Sequence, residues 1–144
     1  MRPARGRVRG FTLVELLVSA AVFAAVIVAL LGALVAAAAV AEESRQLTQA
    51  VQDARTVLER IRDDVQASTD ITTFAAASPA STYEAWVSDQ QAAGTEFTAL
   101  TGETVTVTYG AAGSDPLPVT VTVNWEERSG RARSTTLHTE VTRR

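Results

Sequence analysis

Residues 10–41 read GFTLVELLVSAAVFAAVIVALLGALVAAAAVA, an apolar run that a single charged residue, Glu15, interrupts. At 1.5 Å of rise per residue, residues 11–41 make a helix of roughly 45 Å, whereas the hydrocarbon core of a bilayer is roughly 30 Å thick. The run therefore predicts a membrane-spanning helix. A carboxylate inside such a helix costs roughly 2.5–3.5 kcal/mol or more, so we expect Glu15 to have a partner.

The charges that flank this run differ in sign. A short basic leader, residues 1–10, precedes it, and Glu42 and Glu43 follow it. By the positive-inside rule, this asymmetry predicts a single pass through the cytoplasmic membrane, with the N-terminus in the cytoplasm and the C-terminal domain outside. The arginines of the leader are Arg2, Arg5, Arg7 and Arg9.

The composition limits the remaining possibilities. A chain of 144 residues has room for one small domain besides a membrane segment. It has no cysteine, which excludes a disulfide framework and a thiolate metal site. The net charge is -3, and it becomes -7 without the leader. A body this acidic is not typical of a general nucleic-acid binder.

Residues 42–66 predict an amphipathic helix that continues the apolar one. Apolar residues recur at three- and four-residue steps, and polar residues, Asp53 among them, fill the positions between. Only Gly32 interrupts the sequence as a helix breaker, so we expect one helix of about 55 residues, with 11–41 as its transmembrane and assembly half. The predicted buried stripe is Leu47, Val51, Ala54, Leu58, Ile61 and Val65.

The head, residues 67–144, is predicted to be a loop followed by β-structure. Small polar residues make 67–82 a loop, and within the ambiguous stretch 83–103 a short strand fits Tyr83–Val87. Strict alternation of valine and threonine then predicts two strands, with a third near Arg133–Val141. The fold class is therefore α+β: a long helix, transmembrane in its first half and amphipathic in its second, packed on a C-terminal antiparallel sheet. The two strands predicted from the alternation of valine and threonine are Val105–Tyr109 and Val119–Trp125.

The segment GFTLVE, residues 10–15, behind a basic leader and ahead of a long apolar helix, resembles the type IV prepilin signal. The family comprises type IV pilins, the pseudopilins of type II secretion and the competence pseudopilins, and shares this layout of leader, helix and antiparallel meander. The resemblance implies that a membrane aspartyl protease, the prepilin peptidase, cuts between Gly10 and Phe11 and then methylates Phe11. Glu15 matches the family's glutamate.

Cleavage would also create the partner that Glu15 lacks. It leaves an amine on Phe11, and residues four apart share one helix face, so Glu15 can pair with its own amine or with that of a neighbouring subunit. Either pairing relieves a costly charge and fixes the register of an incoming subunit. The partners implied are the peptidase, other pilin or pseudopilin subunits, the inner-membrane assembly platform, and membrane lipid before assembly.

We interpret the chain as a structural minor subunit of a pilus or pseudopilus, without cofactor or metal, because no nucleophile–base pair or metal-ligand cluster is visible. The C-terminal hairpin resembles that of some minor subunits, and the cysteine pair of some major pilins is missing. The resemblance places Gly32 where many major pilins have a proline. The glycine could be a weak point of the helix, or a small residue at a helix-packing contact. The machine stays open: secretion, motility, adhesion or DNA uptake.

Two alternatives use the same apolar run differently. An ordinary secretory signal would be cut near Ala37–Ala41, although such signals have an apolar region of about 7–15 residues and no buried acid. An uncleaved leader would give a simple membrane anchor. In both cases the product is a membrane-anchored or secreted extracytoplasmic β-domain that does not polymerise.

Other candidate residues in the head favour structural roles. His138 is the one histidine of the chain and is predicted on a strand face, without a second histidine to form a metal site. Asp115 is a single acid, and one carboxylate is too few to predict a calcium site. Several arginines near the last hairpin could contact DNA, but a solvated loop is the favoured interpretation. Five aromatic residues are predicted core or sheet side chains: Tyr83, Trp86, Phe97, Tyr109 and Trp125. The arginines near the last hairpin are Arg128, Arg131, Arg133, Arg143 and Arg144.

Overall fold

The computed structural model describes residues 12–111 and 113–143 of the chain. Three helices precede three strands, so the α+β layout predicted from the sequence is confirmed. The elements are α1 (Leu13–Ala67), α2 (Ile71–Ala77), α3 (Ala80–Ala93), β1 (Thr101–Tyr109), β2 (Leu117–Glu126) and β3 (Ala132–Val141).

Helix α1 is a single element of 55 residues, as its sequence predicts. The chain divides into two compact units, Met1–Ala41 and Glu42–Arg144, and the division falls within this helix. We call the second unit the head. In the first unit, the large apolar side chains of α1 are exposed along its whole described length; Leu13 is 76% exposed and Val40 is 63% exposed.

Within the head, α1 buries one face. Its buried positions follow three- and four-residue steps, which is the spacing of a single helix stripe. The predicted stripe is confirmed from Ala54 onward, but Leu47 was wrongly included, because it is 47% exposed. Asp53 was predicted to face solvent, and it is buried instead. The fully buried residues of α1 are Ala50, Ala54, Val57, Ile61 and Val65.

The strands form one antiparallel sheet in the order β1-β2-β3. Val107 lies opposite Val121, which lies opposite Leu137, so alternate residues of all three strands share the inner face. The inner face joins the stripe of α1 in one hydrophobic core. The inner residues of β2 are all buried: Leu117, Val119, Val121, Val123 and Trp125.

The segment between α1 and β1 differs from its prediction. A loop was predicted for residues 67–82, and a strand at Tyr83–Val87, but α2 and α3 occupy most of this region. Asp70 caps α2, since its Oδ1 accepts the Thr72 N–H at 2.9 Å. Gly94 ends α3 in the left-handed conformation. These caps outweigh the low helix propensity of the serines and threonines, and the strand interpretation was wrong.

Candidate functional site at the start of α1

The start of α1 is a capped helix terminus. The Leu16 N–H donates to Thr12 O at 3.2 Å, and the Glu15 N–H donates to Thr12 Oγ1 at 3.2 Å. Thr12 is thus the N-cap, and Glu15 is the third residue of the helix, which is the spacing of a capping box. The sequence contained this signal as Thr-x-x-Glu, although our sequence analysis did not use it.

Glu15 lies in the first turn of α1, where the partial positive charge of the helix terminus favours a carboxylate. Its side chain is exposed, and no hydrogen bond or ion pair reaches its carboxylate from residues 12–111 or 113–143. The position therefore offers a free negative charge beside a helix N-terminus. Gly10 and Phe11, the predicted cleavage and methylation residues, lie outside the described residues.

Apolar side chains surround this carboxylate along the helix. Among the described residues, α1 is the one helix long and apolar enough to cross a membrane by length and composition. Its most apolar stretch has no buried residue. A Cβ built on Gly32 meets nothing within 4 Å among the described residues. An exposed surface of this kind is consistent with membrane anchoring.

The head contains a second group of acids that the sequence analysis missed. Asp53 on α1 and Glu103 on β1 are each 7% exposed, and their carboxyl groups lie close enough for each to affect the pKa of the other. Gln49 Nε2 donates to Asp53 Oδ1 at 3.0 Å. Asp53 Oδ2 and both Glu103 carboxylate oxygens have no hydrogen-bond partner in the described residues. A shared proton would satisfy this pair, since two ionised carboxylates have no hydrogen to donate.

Burial and the neighbouring carboxylate determine how this pair titrates. Burial, followed by the charge of Asp53, raises the pKa of Glu103 to about 8. Burial also raises the pKa of Asp53, and the nearby charge of Glu96 adds to that effect. The alternation of Glu103 with Val105 and Val107 was the sequence signal that could have placed this acid on the inner face.

The other predicted residues of the head have structural surroundings. His138 lies on the exposed face of β3, with Nδ1 at 2.9 Å from Thr120 Oγ1. Asp115 accepts a hydrogen bond from Thr142 Oγ1 at 3.0 Å. No group of three or more acids, histidines or cysteines that could hold a metal ion occurs in the described part of the chain. The five aromatic residues are buried or packed against the core, as predicted.

The predicted arginine cluster does not form around one hairpin. Arg128 and Arg131 lie in the turn between β2 and β3, and Arg133 lies near the start of β3, whereas Arg143 lies beyond the opposite end of β3. Arg133 is engaged by Glu43 and Glu127, and Arg143 donates to the Thr69 carbonyl. Arg144 lies outside the described residues. The ten residues of β3 therefore separate Arg143 from the arginines near the turn.

Comparison with protein families matches residues 5–31 to the prokaryotic N-terminal methylation motif. Searches of curated proteins and of solved structures found no match. Pilin-like proteins are structural rather than enzymatic, and the family implies processing by prepilin peptidase and assembly with other pilin subunits. The N-terminus of this chain therefore carries the motif that marks type IV prepilin-like proteins, which confirms the resemblance drawn from residues 10–15.

Proposed function

We propose that this chain is a minor subunit of a type IV pilus or of a pseudopilus for type II secretion or DNA uptake. The observation that carries the proposal is the position of Glu15 in the first turn of α1, whose first half is otherwise apolar and exposed. Its carboxylate has no ion pair among the described residues. Lipid supplies no counter-charge at that depth, and neither do residues 12–111 and 113–143 of the chain. A filament of like subunits, each with an N-terminal amine, does.

Processing would occur at the bond between Gly10 and Phe11. Glycine has no Cβ, so a protease can hold the backbone there at close range. The bond precedes the N-cap Thr12 in sequence, and the helix that must stay in the membrane begins only at Leu13. Cleavage would therefore leave α1 intact and place the new amine of Phe11 next to the cap.

Assembly would use the amine and carboxylate as a matched pair. Thr12 Oγ1 already accepts the Glu15 N–H, which leaves the Glu15 carboxylate available to an ammonium group. Four residues along a helix span about 6 Å, so the subunit's own Phe11 amine is within reach, as is that of a staggered neighbour. The uncut chain has no such amine, and this would couple assembly to processing.

The same proposal gives the location and the partners. The arginine-rich leader would stay in the cytoplasm, the apolar half of α1 would cross the cytoplasmic membrane, and the head would lie outside. The subunit would wait in lipid and then pass through the inner-membrane platform into the filament, where neighbouring helices replace lipid around the exposed apolar side chains.

Mass spectrometry of the mature N-terminus tests the processing step. We expect an N-methylated phenylalanine at residue 11, and we expect Gly10→Val to leave the leader attached while Gly6→Val is processed normally. An intact Met1 or a start near Glu42 in the wild-type protein would instead indicate an anchor or a secreted domain. Sheared filaments should contain far less of this chain than of the main subunit.

A substitution of Glu15 tests the assembly step separately. Glu15→Val should still be cut and methylated, but its amount in sheared filaments should fall by roughly tenfold or more, since a buried amine without its carboxylate is strongly unfavourable. Ser19→Val, one turn further along the same face, is the matched control and should assemble normally. If Glu15→Val enters filaments as well as wild type does, the pairing role is wrong.

A further inference from the structure

The three-stranded sheet has one edge that is closed by side chains. On β1, the Val107 N–H donates to Glu84 Oε1 at 3.0 Å, and the Glu103 carbonyl accepts from Gln91 Nε2 at 3.2 Å. Both donor and acceptor side chains belong to α3, which packs along β1. Helix α3 thus binds the outward backbone groups of β1, and covering of this kind protects an edge strand from pairing.

The hydrogen-bond pattern of β2 identifies the outward groups of β3 at the other edge. The Gly110 N–H donates to Pro118 O at 2.8 Å, so even-numbered residues of β2 bond toward β1 and odd-numbered residues bond toward β3. Since Val121 lies opposite Leu137, the odd-numbered residues of β3 bond β2. The even-numbered residues direct their N–H and C=O groups outward: Ala132, Ser134, Thr136, His138 and Glu140.

This β3 edge is unprotected. Within residues 12–111 and 113–143, the backbone groups of the five outward residues have no hydrogen-bond partner. The strand is ten residues long, contains no proline, and pairs with β2 in continuous register without a bulge. Among the outward residues, only Glu140 is an acid, and none is a lysine or an arginine. Proline, bulges and charged side chains are the usual obstacles to strand addition, so β3 is a competent template.

Helix α1 forms the floor beside this edge. Arg62 Nη2 donates to Thr139 Oγ1 at 3.0 Å, and a shallow cleft runs between the exposed Arg55 and Glu59 of α1 and the half-buried Leu137 of β3. Arg55 has no ion pair in the described part of the chain. A strand placed here would rest an apolar side chain on Leu137 and could place an acidic one beside Arg55.

The direction of β3 limits which strand can be added. Arg133 at the start of β3 pairs with Glu43 of α1, and Thr139 near its end bonds Arg62, so β3 runs the same way as α1 beneath it. In subunits assembled side by side through their N-terminal helices, outer strands equivalent to β1 and β3 share that direction. A second copy of this chain could offer only β1 to such parallel pairing, and α3 already binds that edge.

We propose that β3 accepts, in parallel, the unprotected edge strand of a different pilin-like subunit along residues 132–140. This inference rests on the proposed function, because it requires assembly among pilin-like subunits. The five outward residues would supply the main-chain hydrogen bonds, and Leu137 and Arg55 would select the side chains of the partner strand.

Proline scanning tests this pairing in the full-length protein in its native host. Thr136→Pro removes one outward N–H and places a ring at the edge, while the bonds to β2 are kept. We expect roughly tenfold less of this variant in sheared filaments. Thr136→Val retains the N–H and should assemble within about twofold of wild type. Ser134→Pro, one rung away, should repeat the defect, and thermal unfolding of each variant in detergent confirms that the head is folded.

A photo-crosslinking residue at position 138 identifies the occupant. Crosslinking of a different prepilin-like subunit, identified by mass spectrometry and lost in the Ser134→Pro background, supports the proposal. A crosslink to a second copy of this chain overturns the choice of partner. If wild type is cut at Gly10 and enters filaments, but folded Thr136→Pro enters equally, strand addition alone is overturned. If wild type is not cut, the proposed function itself fails.

Discussion

The two halves of α1 share one backbone and have opposite surroundings. Ile27, in the first unit, is 41% exposed in the isolated chain, whereas Ile61, in the head, is fully buried. A helix that is apolar all round needs lipid or other subunits, while a helix with one apolar stripe is completed by its own sheet. The comparison teaches that the arrangement of the apolar residues around the helix, rather than their number, decides which partner a segment requires.

The acids of the two regions differ in the same way. Glu15 is exposed, lies at a helix terminus, and has no partner within the described chain, so its function points to another molecule. Asp53 and Glu103 are buried close to each other, so their mutual effect lies within the head. Substitutions of this buried pair should therefore affect the stability of the head, whereas substitutions of Glu15 should affect assembly.

The two isoleucines provide the largest expected contrast. Ile61→Ala should lower the free energy of unfolding of the head by about 2–5 kcal/mol, because it leaves a cavity between α1 and the sheet. Ile27→Ala should change it by less than about 0.5 kcal/mol. Denaturant unfolding of the full-length protein in detergent micelles, followed by tryptophan fluorescence, measures both. An equal loss in the two variants would mean that the halves of α1 unfold as one cooperative unit.

The buried acid pair predicts a pH dependence for the head. The pKa of Glu103 is about 8 in the folded state, against 4.5 when it is unperturbed. Folding therefore retains a proton that the unfolded chain releases. The contribution of this proton to the free energy of unfolding is fully present below about pH 4.5 and is lost as the pH rises through 8. For Glu103 alone, the free energy of unfolding falls by at most about 1.4 kcal/mol per pH unit. Asp53, whose pKa is also raised, acts in the same direction.

Thermal unfolding between pH 5 and pH 9 measures this effect. The melting temperature should fall across that range in wild type, and Glu103→Gln, which keeps a neutral hydrogen-bonding group, should flatten the curve. Glu59→Gln, at an exposed position of α1, is the matched control and should keep the wild-type curve. A wild-type melting temperature that rises with pH would show that the pair is not protonated in the folded head.

The parts of the structure that the sequence predicted correctly are those specified by a pattern that repeats along the chain. The apolar run, the amphipathic stripe and the alternating strands all express a period along the chain, and all three are confirmed. Helices α2 and α3 were missed because their serines and threonines are also typical of loops and their start and stop signals, Asp70 and Gly94, are single residues.

The candidate site was predicted as far as its chemistry is local. The run from Gly10 to Glu15 was enough to recognise the methylation motif, since that motif is contiguous. The pairing of Asp53 with Glu103 joins residues 50 positions apart, and it depends on which face of α1 meets β1. No period of the sequence alone specifies that register, and Asp53 was therefore assigned to solvent.

Gly32 provides the smallest expected effect and separates its two interpretations. Gly32→Ala should stabilise α1 by at most about 1 kcal/mol, since alanine loses less backbone entropy in a helix and meets no atom of the chain within 4 Å. Ala33→Gly should shift stability by a similar amount in the opposite direction. Circular dichroism of the full-length variants during melting in micelles measures both changes, and the unfolding of the head should stay unchanged in each.

Filament incorporation then distinguishes a contact from a weak point. If a neighbouring helix packs against Gly32, the methyl group of Gly32→Ala obstructs that approach and incorporation falls, even though the isolated helix is more stable. If Gly32 serves only to soften α1, then Ala33→Gly, which adds a second glycine, assembles at least as well as wild type. No atom of residues 12–111 or 113–143 lies near the added methyl group, so a steric effect at this position would indicate a contact in the assembled state.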